Sequence, residues 1–159
     1  MAVVFKEKGH VYESNDQDKI SWVSVTGLVA KFKPKFDRDG QAVKSSKNKR
    51  SKWYGMTPKE IAAWDGETQR AITLGNFYHN QREADMMEFN TIQRHGTEVP
   101  IIKPIVDENG LKIAPKQKLQ EGVYPEHLVY LKSVGICGQA DLVEVVNGHI
   151  NITDYKTNK

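Results

Sequence analysis

The chain has 159 residues, 38% of them hydrophobic and 27% charged, with a formal net charge of +3 and one cysteine. This length makes a single domain over residues 1–159 the natural prior, and such a chain can bury roughly 70% of its unfolded surface, enough for one core. Apolar runs fall short of the ~20 residues that a bilayer span needs, Lys6-Glu7-Lys8 stand where a secretory apolar segment would lie, and the lone Cys137 excludes an internal disulfide or a cysteine-only zinc or iron–sulfur site. The reading is a cytoplasmic protein with no membrane segment.

Residues 3–13 (VVFKEKGHVYE) predict a short hairpin turning at Gly9. In SWVSVTGLVAKF, Ser24 or Thr26 is placed to cap a short helix. Pro34 and Asp39-Gly40 read as breaks after it. From Lys31 to Lys59 there are ten Lys and Arg against two Asp, densest at Lys44, Lys47, Lys49, Arg50 and Lys52. Phe32, Phe36, Trp53 and Tyr54 are interleaved with them, a mixture that suits a phosphate backbone with base stacking. A solvated lysine-rich surface loop is the alternative. Lys47, Lys49, Arg50 and Lys52 are the candidate nucleic-acid contacts.

Thr57-Pro58-Lys59-Glu60 predicts a helix start, with Thr57 as cap, Pro58 in the first turn and Glu60 closing a capping box. The pattern pauses at Asp65-Gly66 and resumes as a helix over about 67–89, packing through Ala71, Leu74, Tyr78 and Phe89. Residues 99–114 predict a hairpin turning at Glu108-Asn109-Gly110, and Pro100 and Pro104 confine it to an edge.

The last third carries the chemistry. Tyr124–Lys132, Gly138–Val146 and His149–Tyr155 read as three antiparallel strands, the last two joined by Asn147-Gly148, a strong two-residue hairpin signal. Helices followed by such a unit predict an α/β or α+β fold. Counting outward from the turn puts Asp141 opposite Asp154 and Gln139 opposite Lys156, on the face that also holds Val143, Val145, Ile150 and Ile152. Opposed carboxylates repel. A divalent cation held by both would relieve the repulsion, and oxygen ligands suit Mg²⁺ or Mn²⁺. Lys156, on the same face, could polarise a metal-bound water or stabilise charge on phosphate. The alternative is a solvated sheet edge. Upstream, Gly75, His79 and Glu83 recur every four residues and share a helix face. Glu83 and Glu126 are secondary candidates, Glu126 as a residue opening the strand beside Asp141.

Gly138-Gln139-Ala140-Asp141 followed by Asp154-Tyr155-Lys156-Thr157 resembles the G-x-x-D … D-x-K signature of PD-(D/E)XK nucleases, most closely their RecB-like branch. Gly75-Asn76-Phe77-Tyr78-His79 resembles that branch's helical G-x-x-x-H motif. Ser24-Val25-Thr26 is similar to a short motif of phage-type members and of the mitochondrial genome maintenance exonuclease. The resemblance implies a restriction-endonuclease-like core, with a mixed sheet flanked by helices. It implies Asp141, Asp154, His79 and the Tyr155 carbonyl as metal ligands and Lys156 as the catalytic lysine. The implied activity is Mg²⁺- or Mn²⁺-dependent hydrolysis of DNA phosphodiesters, without an iron–sulfur cluster.

No base-reading module is visible, which favours an exonuclease of replication, recombination or degradation over a sequence-specific endonuclease. The expected partner is DNA, as single strands or duplex ends, together with other replication or recombination proteins. A phage origin, and hence the host cytoplasm, fits the resemblance. A non-catalytic DNA-binding module of the same fold and a metal-dependent ribonuclease are the alternatives. The branch continues past D-x-K with a further helix, whereas this sequence ends three residues after Lys156. The resemblance therefore implies a domain incomplete at its C-terminus, with a missing C-terminal segment or a second chain completing the site.

Overall fold

The computed structural model describes residues 3–6, 9, 11–14, 20–114 and 118–155, the side chains of 62–68 excepted. β1 (Val3–Lys6) and β2 (Val11–Ser14) form the predicted antiparallel hairpin, Val3 opposite Ser14 and Lys6 opposite Val11. β3 (Val23–Ser24) runs directly into α1 (Val25–Phe32). Of the two predicted caps, Ser24 takes the role: its Oγ accepts the Gly27 amide at 3.0 Å, satisfying a donor that the first helical turn leaves over.

α2 (Arg38–Lys47) corrects the sequence reading, because Asp39-Gly40 lies inside its first turn and does not break it. Asp37 precedes this helix, and its Oδ1 accepts the Gly40 amide at 2.9 Å. A Cβ on residue 40 would stand 2.0 Å from Asp37 Oδ2, so glycine there admits the capping carboxylate. The densest basic residues thus sit on the last turn of a helix and in the turns after it.

The Thr57–Glu60 capping box forms as predicted: the Thr57 amide donates to Glu60 Oε2 at 2.6 Å and the Glu60 amide to Thr57 Oγ1 at 3.4 Å. A single 3₁₀ turn, Glu60–Ala63, leads into α3 (Trp64–Glu88). The predicted pause at Asp65-Gly66 is absent, and the helix runs through for 25 residues. One glycine in a helix costs only about 1 kcal/mol, which the good helix formers after it can offset.

β4 (Thr91–Arg94) and β5 (Thr97–Pro100) form a hairpin that the sequence reading did not foresee. Its turn is His95-Gly96, with φ of 49° and 80°, as a two-residue hairpin turn requires. Val99 and Pro100 therefore belong to this hairpin. The predicted 99–114 hairpin is reduced to β6 (Ile105–Val106) and β7 (Lys112–Ile113), around a turn in which Asp107 Oδ1 accepts the Asn109 and Leu111 amides.

The three long strands are β8 (Gly122–Leu131), β9 (Ile136–Val146) and β10 (His149–Thr153). β9 is central. β8 lines it antiparallel from Ile136 to Val145. β10 pairs antiparallel with Leu142–Val146, and β3 pairs parallel with Ile136–Cys137. The Asn147-Gly148 turn has φ of 52° and 75°, and Val146 faces His149 as predicted. A second sheet has the order β2-β1-β7-β6.

Both faces of β9 are covered. Leu142 and Val146 pack with Val99, Ile101 and Val123, against which Met86 and Ile92 also lie. Val143 and Val145 pack with Tyr124. Farther along, Leu128 and Cys137 join Val3, Phe5 and Tyr12, which ties the second sheet to the first. Ile150 and Ile152, predicted to share an apolar face with Val143 and Val145, pair with Val145 and Val143 but are 63% and 72% exposed, on the strand that ends the sheet order among the described residues.

The result is a mixed α+β fold. The described residues divide into two compact units, one containing those up to Phe32 and from His79 to Tyr155, the other Lys33–Tyr78. Among the described residues, no helix is long and apolar enough to cross a membrane.

Candidate metal centre

Four elements of the first unit bring polar groups together. His79 lies on α3, Glu126 on β8, Asp141 on β9 and Tyr155 just beyond β10. The ligand atoms of His79, Glu126 and Asp141 all lie within 4.8 Å of one another. His79 Nε2 is 3.5 Å from Asp141 Oδ2 and 3.1 Å from the Tyr155 carbonyl oxygen. The Tyr155 amide donates to Asp141 Oδ2 at 2.6 Å. The rings of His79 and Tyr155 meet edge to face, with centroids 5.9 Å apart, which steers the imidazole.

Ligands about 2.1 Å from an octahedral ion stand about 3 Å apart when adjacent. The His79–Tyr155 and His79–Asp141 separations are close to that value. Glu126 offers a carboxylate oxygen within 4.8 Å of both His79 and Asp141. With a hydrogen on Nε2, His79 donates to the Tyr155 carbonyl. Without it, the nitrogen lone pair, the Asp141 carboxylate and the carbonyl oxygen can all serve one cation.

Glu126 differs from its sequence-based placement, because it lies in the middle of a strand. Pairing runs Pro125–Leu142 and then His127–Ala140, so Glu126 stands opposite Asp141 at a step the ladder skips. Its φ is +51°, uncommon for a residue with a side chain. Residues three apart on a regular strand point to opposite faces, yet the Tyr124 and His127 rings lie 5.3 Å apart. The left-handed residue has reset the alternation, and the site sits at that irregularity. Gln139, opposite Leu128, donates to Glu126 Oε2.

The Glu126 carboxyl is pushed up to about 7, chiefly by burial and then by the Glu83 charge, with Asp141 adding to the rise and Lys112 and His79 opposing it. Burial also raises the Tyr155 phenol. Glu83, one turn beyond His79 on α3, accepts an ion pair from Lys112 on β7 at 3.0 Å. Sequence reasoning passed over Lys112, and its two-residue strand carried no signal that would have singled it out.

The predicted opposition of Asp154 to Asp141 falls one step beyond the end of the β9–β10 ladder. The β9–β10 ladder ends at Leu142–Thr153, and Asp154 is exposed one residue past the end of β10. It is not in the group formed by His79, Glu126 and Asp141. On the β10 side, Asp141 accepts the Tyr155 backbone amide. Lys156 lies outside the described residues.

The candidate nucleic-acid contacts belong to the second unit. Lys47 ends α2, Lys49, Arg50 and Lys52 follow in turns, and all four are exposed. The Lys52 ammonium lies 4.7 Å over the Trp53 ring. Phe36 and Tyr54 are 73% and 52% exposed.

No family model, curated protein or solved structure matches the chain.

Proposed function

We propose that this protein is a divalent-metal-dependent nuclease of the PD-(D/E)XK type acting on DNA, with its ion held by His79, Asp141, Glu126 and the Tyr155 carbonyl. The observation that carries the reading is the convergence of His79 Nε2, Asp141 Oδ2 and the Tyr155 carbonyl oxygen from three separate elements. A donor set dominated by carboxylate and carbonyl oxygens favours Mg²⁺ or Mn²⁺, and the imidazole tilts it toward Mn²⁺. The order of G-x-x-x-H, G-x-x-D and D-x-K along the chain supports the same reading.

When bound, the ion supplies an activated water and offsets charge on a phosphoryl oxygen. The chain's own groups hold and orient. The Tyr155 amide aims the Asp141 carboxylate, Gln139 steadies Glu126, and Tyr155 orients the His79 ring. Asp154 and Lys156 are the D-x-K pair, with Lys156 given the role of stabilising charge on the reacting phosphate. The exposed cations and aromatics of α2 and the turns after it suit a phosphate backbone with accessible bases, which favours single strands or frayed ends.

The test is cleavage of matched single-stranded DNA, duplex DNA and RNA with Mn²⁺, with Mg²⁺ and with excess chelator, for wild type and Asp141→Asn. The expected result is metal-dependent DNA cleavage, abolished by chelator and by the substitution. Cleavage that survives both overturns the reading. DNA binding without cleavage in any metal assigns the chain to the non-catalytic alternative.

A further inference from the structure

With Glu126 ionised, as metal binding requires, the site holds more negative charge than one divalent ion and a neutral imidazole balance. Glu83, Glu126 and Asp141 supply three carboxylates, and Lys112 reaches this group from the other sheet. Its side chain is 15% exposed, and its ammonium sits 3.0 Å from Glu83 Oε1, itself 30% exposed on its side chain. A lysine this sheltered is held in place, since a long cationic side chain normally keeps its head in water. Lys112 and Glu83 are 29 residues apart, on a strand and a helix respectively, so the pair is made by the tertiary fold. Glu83 and Lys112 both act electrostatically on Glu126.

We propose that Lys112 is the built-in second cation of this centre, a positioning residue whose ammonium fills the place beside Glu83 and so limits the site to one divalent ion. The inference rests on the metal-centre reading above and deepens it. One ammonium and one divalent ion bring three carboxylates to neutrality. A second divalent ion would have to displace a fixed, sheltered charge, and unlike charges in such surroundings interact strongly. The Glu83–Lys112 pair also ties the helical turn after His79 to the second sheet, so the same contact holds the imidazole in register with Asp141.

The experiment is a Mn²⁺ titration of the full chain, followed by the loss of the free-ion paramagnetic resonance signal, with folding monitored by circular dichroism. Wild type is expected to bind one ion. Lys112→Gln is expected to bind two, Lys112→Arg one, and the double variant Lys112→Gln/Glu83→Gln one again. Two ions bound by wild type, or one by a folded Lys112→Gln, overturns the inference and leaves the metal centre standing. Absence of saturable Mn²⁺ binding by wild type overturns the metal centre itself, and this inference with it. Should Lys112→Gln fail to fold, Lys112→Met is titrated in its place, and one ion bound by folded Lys112→Met overturns the inference.

Discussion

The backbone amide of Tyr155 donates to Asp141 Oδ2 at 2.6 Å, so the main chain just beyond β10 aims the central carboxylate of the site. The same residue's carbonyl oxygen lies 3.1 Å from His79 Nε2, across 76 residues of sequence. One residue therefore links the strand-borne carboxylate to the helix-borne imidazole.

Asp141→Asn should keep this arrangement while removing the charge, because the amide oxygen can still accept from Tyr155. Isothermal titration should find Mn²⁺ affinity lowered by more than the 10–100-fold typical of losing an outer-shell partner. Chemical denaturation in chelator should change by only about 1 kcal/mol, the scale of one weakened hydrogen bond. His79→Ala should likewise weaken Mn²⁺ binding. Unchanged affinity in both variants would remove these residues from the centre.

The relative weight of two carboxylates follows from their placement. Glu126 is grouped with His79 and Asp141, while Asp154 is exposed past the end of β10. Glu126→Gln should therefore reduce Mn²⁺ affinity at least as much as Asp154→Asn, measured side by side under the same conditions. A larger loss from Asp154→Asn would return the ligand role to the D-x-K aspartate alone.

Glu126 also predicts a pH dependence. Its carboxyl is raised from 4.5 to about 7 in the folded protein, mainly by burial. The folded state then keeps a proton that the unfolded chain releases. The corresponding stability is fully present below pH 4.5 and is lost as pH rises through about 7. Urea unfolding in chelator should follow that slope, and Glu126→Gln should flatten it. Mn²⁺ needs the ionised carboxylate, so its binding should release protons and strengthen across the same window. An identical pH profile for wild type and Glu126→Gln would contradict the assignment.

The exposed cations at Lys47, Lys49, Arg50 and Lys52 predict a salt effect without a metal effect. If each meets a phosphate, replacing all four with Ala should lower the slope of log affinity for single-stranded DNA against log salt by roughly 0.7 per lost contact. Mn²⁺ affinity should be unaltered. A salt slope equal to that of wild type would leave these residues as solvated surface.

The sequence by itself determined the features decided within a few residues. Asn147-Gly148 sets the β9–β10 register through two successive positive φ angles, and Ser24 and the Thr57–Glu60 box start helical segments through local hydrogen bonds. Asp39-Gly40 reads as a break and His95-Gly96 goes unread in the sequence, because the same residue types serve equally as a break, a helix first turn or a hairpin, and propensity alone does not choose among these. The central site depended on the tertiary structure. Glu126 reaches Asp141 only because β8 pairs with β9 across the turn at residues 132–135 and takes a left-handed conformation at the skipped step. The extrapolated Asp141–Asp154 pairing falls beyond the ladder, which ends at Thr153, and it is the Tyr155 amide that donates to Asp141. Lys112 meets Glu83 through the packing of a short strand against a long helix, and no local pattern specifies a contact between charges that far apart in the chain.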